Sequence, residues 1–172
     1  MKLLYSIHKY DVFMFTWLIN TRMHSALTKA SRYLSKTGDG QLYLIVAGTL
    51  YWLEGFESLF LRAVLLAFLI ERPVYFLLKN SFKRNRPQVA LRNFRSIITP
   101  SDQFSFPSGH TSAAFMMATL LSYYFPPLTI YLYSWATVVG FSRVVLGVHF
   151  PTDILVGVLL GISAALFSLG QI

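Results

Sequence analysis

The sequence predicts an all-α integral membrane protein with about six transmembrane helices and an interfacial amphipathic helix after the first. Three observations carry this reading. Charged residues fill only 13% of the 172 positions, while 55% are hydrophobic and 16% aromatic; soluble domains carry about 25% charge. Apolar runs alternate with short polar breaks along the whole chain. The polar residues gather in three clusters: Lys79 with Arg86-Pro87, then Pro107-Ser108-Gly109-His110, then Ser142-Arg143 with His149 and Asp153. Such groups are costly at a membrane boundary unless they have a task there. The length suits one domain over 1–172, with no repeat, low-complexity tract or linker. The absence of cysteine excludes disulfides and thiolate chemistry.

Each element follows in order. Residues 3–10 joined to 12–19 reach span length, provided Lys9 and Asp11 are buried or interfacial. This N-terminus is expected not to be a cleavable signal, because His8, Lys9 and Asp11 interrupt the apolar stretch and no small-x-small site follows. Residues 21–40 are polar and basic (Arg22, His24, Lys29, Arg32, Lys36), with Leu27, Ala30 and Leu34 at roughly helical spacing. They predict the interfacial amphipathic helix, broken at Gly38-Asp39-Gly40. Residues 42–53 form a short apolar segment. Residues 59–78 are of span length despite Arg62, Glu71 and Arg72, and 79–103 are the longest polar stretch. Residues 109–125, stopped by Pro126-Pro127, then 128–145 and 154–169 are further spans. Gly157, Gly161, Ser163 and Ala164 in the last suit close helix packing. A count of six requires the two short early segments to be tilted or partly interfacial.

Two spans between the second and third clusters return the chain to its starting side. Regions 79–110 and 142–153 therefore face one side of the membrane, and the site is expected on the helical bundle at that face. Orientation is left open by charge. The cluster-bearing side is the basic one, which points to the cytoplasm, and Arg22, Lys29, Arg32 and Lys36 still outnumber Lys2 and Lys9 once Lys79, Arg86 and Arg143 are set aside. The net charge of +8 is dispersed between apolar runs. That distribution argues against a nucleic-acid binder and for anionic headgroups or a phosphorylated substrate.

The clusters carry recognisable chemistry. Pro151 suits the first position of a helix, which puts Asp153 in its first turn, within reach of His149 four residues back. An Asp bonded to one imidazole nitrogen leaves the other as nucleophile or base; the plain alternative is a helix-start charge beside a loop histidine. Ser108 and Gly109 open a span, where unpaired N–H groups make an anion site and glycine allows close approach. His110 beside that anion can donate a proton; the alternative is an ordinary serine cap. Lys79 and Arg86, two helical turns apart, can share a face, with Pro87 stopping the helix. Lys83, Arg84, Arg92 and Arg95 read as unspecific contacts to lipid phosphates, and Arg143 less so. Two histidines, an Asp, a helix start and three cations on one face form a set that separate accidents explain poorly.

Lys79-x6-Arg86-Pro87, Pro107-Ser108-Gly109-His110 and Ser142-Arg143-x5-His149-x3-Asp153 resemble the three-part motif of the type 2 phosphatidic acid phosphatase superfamily, in its bacterial integral membrane form. The resemblance implies a metal-independent hydrolase with no cofactor, acting on lipid phosphates or diphosphates. His149 would be the nucleophile, forming a phosphohistidine. Asp153 would orient it, and His110 would protonate the leaving group and later activate water. Lys79, Arg86, Ser108, Gly109 and Arg143 would hold the phosphoryl oxygens. It also implies six spans in a bacterial inner membrane, with the site facing the periplasm or outside, against the charge count. Candidate substrates are undecaprenyl diphosphate, phosphatidylglycerol phosphate, phosphatidic acid and a lipid A phosphate; the motifs do not choose among them. The competing reading is a non-catalytic lipid-phosphate transporter or binding protein, which needs neither both histidines nor Asp153.

Glu71 and Arg72 fall outside the motifs. A pair between Glu71 and Arg62 or Arg143 is expected, with support of Lys79 as the alternative. Trp17, Tyr43, Trp52, Tyr123 and Tyr124 read as interfacial anchors.

Overall fold

A computed structural model describes residues 2–172, leaving aside the side chains of residues 2–5 and 56. All regular structure among the described residues is helical: α1 (Lys2–Ile19), α2 (His24–Lys36), α3 (Gly40–Glu54), α4 (Leu59–Phe82), the single turn α5 (Pro87–Ala90), α6 (Gly109–Tyr124), α7 (Thr129–Val145) and α8 (Pro151–Leu169). The expected early segments are therefore continuous helices. Pro126–Val145 and Pro151–Leu169 are long and apolar enough to cross a membrane by length and composition. The shorter α3 and α6 have 15 and 16 residues, roughly 22–24 Å at the helical rise per residue, against a hydrocarbon core of about 30 Å.

Helix α6 is the axis of the bundle. Every residue from Thr111 to Leu120 is buried, as expected of a helix apolar all round. Helix α8 lies against it through glycine. A Cβ at Gly161 would fall 2.1 Å from the Ser112 carbonyl oxygen, and one at Gly157 2.7 Å from that of Ser108. Ala164 is buried with them, whereas Ser163 faces outward. Helix α4 joins through Ala63 and Ala67, and Ser168 Oγ donates to the Ala63 carbonyl at 2.7 Å. The outer faces carry exposed Leu65, Leu69, Leu155, Leu159 and Phe167, an apolar surface of the kind that lipid covers.

Helix α2 packs on α7 through small polar residues: Ser31 and Ser35 are buried, while Ala30 and Leu34 are exposed. Leu27 alone of the apolar stripe packs inward, against the cluster of Phe15, Val145 and Phe150. Trp17, Trp52 and Tyr123 are exposed as anchors would be. Tyr43 is not one of them; it is buried, and its hydroxyl donates to the Gly38 carbonyl. Tyr124 packs edge-on against Phe60. Glu71 is paired neither with Arg62 nor with Arg143. Its neighbour Arg72 folds back onto it, with Nη2 2.6 Å from Oε1, and Ser112 Oγ also donates to it. Arg62 pairs with Glu57 instead.

Candidate active site

The first cluster forms where α4 ends. Lys83 adopts left-handed φ +45°, which terminates the helix. Arg86 is extended, and Pro87 starts α5 rather than stopping α4. Lys79 and Arg86 thus do not share a helical face as their spacing implied. They converge through a carboxylate from the following loop. Lys79 Nζ donates to Asp102 Oδ2 at 2.7 Å, Arg86 Nη2 to Oδ1 at 2.5 Å, and the Tyr75 hydroxyl to Oδ2 at 2.9 Å. Burial pushes the Asp102 carboxyl up, but the bonds from Lys79 and Arg86 outweigh it and hold it down at about 2. Both cations are almost wholly buried and share the Asp102 carboxylate, the kind of anionic partner that offsets the cost of burying charge.

The second cluster opens α6. Ser108 takes the N-cap position, but its hydroxyl bonds the Thr111 hydroxyl at 2.9 Å and caps no backbone N–H. The glycine at 109 admits the Tyr75 ring, whose Cε2 would lie 3.0 Å from an added Cβ. His110 Nε2 meets Asp39 Oδ1 at 2.9 Å. Asp39 precedes α3, and no spacing in the sequence links it to a histidine 71 positions away.

The third cluster joins α7 to α8. Arg143 Nη1 donates to Ser35 Oγ at 2.6 Å, and its Nε is buried with no hydrogen-bond partner among the described residues. Pro151 stands at the start of α8, and Asp153 in its first turn accepts from the Phe150 N–H at 2.8 Å. His149 Nδ1 lies 3.7 Å from Asp153 Oδ2. That is an electrostatic contact, longer than the hydrogen bond expected from sequence. Burial is the main influence on the imidazole and lowers it to about 4, with Asp153 pulling the other way. His149 is therefore neutral at pH 7, with a lone pair on one nitrogen.

Two hydrogen bonds lock the three clusters together. The Ser108 N–H donates to the Asp153 carbonyl at 3.0 Å. Arg86 Nη1 donates to the Val148 carbonyl at 2.6 Å, one residue before His149. The convergence inferred from counting helices is present.

Arg84 is no unspecific lipid contact. Its Nη1 donates to Asp153 Oδ1 at 2.8 Å and its Nη2 to Asp11 Oδ2 at 2.6 Å, with the guanidinium 4.5 Å over the Phe150 ring. Asp11 is buried, as its place in an apolar helix required, and also accepts from the Thr152 N–H at 3.0 Å. Beside the site lies a cavity of about 950 Å³ whose lining includes His110, Asp39, Arg143 and Ser35.

Buried cations, a neutral buried imidazole and a second histidine with its own carboxylate can bind a tetrahedral oxyanion and move a proton next to it. Comparison with known proteins agrees. A profile described as the PAP2 superfamily matches residues 59–172, two thirds of the chain and all three clusters. The chain belongs to the PAP2 superfamily. Among solved structures, that of LpxE from Aquifex aeolicus superposes with a TM-score of 0.80 at 29% identity, covering 92% of this chain and 94% of that one. A transmembrane PAP2-type phosphatidylglycerolphosphate phosphatase from Bacillus subtilis superposes at 0.66 and 25% identity, covering 96% and 94%. A protein named bacitracin transport permease BcrC, from Bacillus licheniformis, is 31% identical over 73% of this chain. The chain spans a little under two thirds of the curated relatives it matches, 64% for BcrC. Lys79, Arg84, Arg86 and Asp102 fall inside the PAP2 match; Asp11, Ser35 and Asp39 lie before it.

Proposed function

We propose that the chain is one membrane-embedded domain, over 1–172, that hydrolyses a phosphate ester or diphosphate of a membrane lipid without a metal ion. It would cross a bacterial inner membrane about six times, with its site at the periplasmic or outer face. The observation that carries this reading is the tie between clusters, Ser108 to Asp153 and Arg86 to Val148, which sets the phosphate-binding groups beside a buried neutral histidine. His149 Nδ1 faces Asp153, so Nε2 attacks phosphorus. The bond from phosphorus to the bridging oxygen breaks, its electron pair stays on that oxygen, and His110 supplies the proton. Water then attacks the phosphorus of the phosphohistidine and gives up a proton to His110; the phosphorus–nitrogen bond breaks, its electron pair returns to His149 Nε2, and inorganic phosphate leaves. Lys79, Arg86, Arg143, Ser108 and the Gly109 N–H hold the charge that develops. Arg84 and Asp11 position Asp153, and Asp39 positions His110.

Phosphate release from lipid substrates by detergent-solubilised protein tests this. The wild type is expected to turn over in EDTA, and His149→Ala to lose activity by about 10³-fold or more. Full activity in His149→Ala, or loss of wild-type activity to EDTA, contradicts it. The name of BcrC speaks of bacitracin transport; a second reading makes this chain a lipid-phosphate transporter or binding protein. A transporter releases no phosphate, so the same assay separates the two.

A further inference from the structure

The cavity beside His110 has a wall that the chemistry above does not use. Lys29, Arg32 and Lys36 line it. They stand at i, i+3 and i+7, one side of α2, and rise about 10 Å along the helix. Among the described residues, Arg32 Nη2 reaches the Ile97 carbonyl alone, at 3.5 Å. Lys29 and Lys36 are exposed to the cavity and make no hydrogen bond or ion pair among the described residues. The same lining includes Arg143, which is 5% exposed and whose Nε has no hydrogen-bond partner among the described residues. The one carboxylate on the lining, Asp39, is already engaged by His110. Four cations thus face a single committed carboxylate, a charge balance suited to an anionic ligand.

The position of this wall says which part of a substrate meets it. His110 borders the cavity; His149 does not. In an in-line displacement the leaving oxygen lies opposite the nucleophile, so a leaving group protonated by His110 extends into the cavity. Elsewhere the lining offers a lipid chain Tyr33, Ile97, Ile98 and Leu146, but such a chain gains nothing from the wall of Lys29, Arg32 and Lys36. A phosphate does.

We propose that this cavity is a subsite for a second phosphate carried by the leaving group. The favoured substrates are then lipid diphosphates, or lipids whose terminal phosphate is followed by a phosphodiester, over monophosphates with an uncharged leaving group. This rests on the lipid phosphatase reading. The reaction is unchanged: the bond from the terminal phosphorus to the bridging oxygen breaks, His110 protonates that oxygen, and the product keeps its own phosphate in the subsite.

The test compares kcat/KM for farnesyl diphosphate with farnesyl monophosphate, and for phosphatidylglycerol phosphate with phosphatidic acid. Wild type is measured beside the Lys29→Ala/Lys36→Ala double variant. Both lysine side chains are exposed and make no hydrogen bond or ion pair among the described residues, so folding is spared. The wild type is expected to prefer the doubly phosphorylated member of at least one pair by about tenfold or more, and the variant to lose most of that ratio. The pair that shows it identifies the source of the second phosphate. Ratios near one in the wild type, or a preference the double variant keeps, overturn the subsite while phosphatase activity stands. Release from none of the four substrates overturns the phosphatase reading itself.

Discussion

Arg84 joins Asp153 to Asp11, one guanidinium nitrogen to each carboxylate, at 2.8 Å and 2.6 Å. The carboxylate that faces the candidate nucleophile is thus held from behind by a charge that is itself held by α1. A buried carboxylate deprived of its cation is costly, and a misplaced one no longer aligns an imidazole. Arg84→Gln is expected to lower kcat by about 10–100-fold, the equivalent of losing one or two charged hydrogen bonds, with KM little changed. Arg84→Lys should recover part of the loss. Steady-state kinetics on the solubilised variants checks this; a wild-type kcat in Arg84→Gln, or a loss confined to KM, contradicts it.

The pairing of His110 with Asp39 at 2.9 Å should matter in proportion to the need for a proton on the leaving group. A general acid contributes about 10²–10⁴-fold, and its orienting carboxylate a part of that. Asp39→Asn is expected to slow hydrolysis of an alkyl or isoprenyl phosphate far more than that of p-nitrophenyl phosphate, whose leaving group needs little protonation. Equal losses on the two substrates would remove Asp39 from the proton path.

His149 should titrate late. A histidine ordinarily gains its proton near pH 6.5, but burial lowers this one to about 4. Lowering the pKa favours the neutral form, so the nucleophile stays competent well below pH 6 and is lost only as the pH approaches 4. The groups facing it are Asp153, Arg86 and Arg143, with Arg84 acting on Asp153. Labelled-histidine NMR of protein in detergent or nanodiscs is expected to show an imidazole that stays neutral down to about pH 4 and whose signal is absent from His149→Ala. A midpoint near 6.5 for His149 would contradict the geometry.

Much of the site was legible in the sequence because local rules set it. Pro151 starting a helix and Asp153 in its first turn follow from four consecutive residues, and span counting brought Ser108 to Asp153. What stayed hidden depends on contacts distant along the chain. Asp39 meets His110 across 71 positions and Arg84 meets Asp11 across 73, and neither pair leaves a periodic trace. Asp102 lay in a polar loop with no motif around it, yet it draws Lys79 and Arg86 together. The helical spacing of those two cations misled, since the left-handed turn at Lys83 breaks the helix between them. Glu71 likewise took its neighbour Arg72 rather than a distant partner, because a long guanidinium can fold back along its own helix.

The central claim is that phosphate passes through His149. Protein incubated with a radiolabelled lipid phosphate and quenched in alkali within one turnover should carry label that is stable to base and lost in acid, as a phosphorus–nitrogen bond is. Peptide mapping should place it on His149, and His149→Ala should carry none. Rapid phosphate release with no base-stable label on the wild type, or label that persists in His149→Ala, would contradict the account.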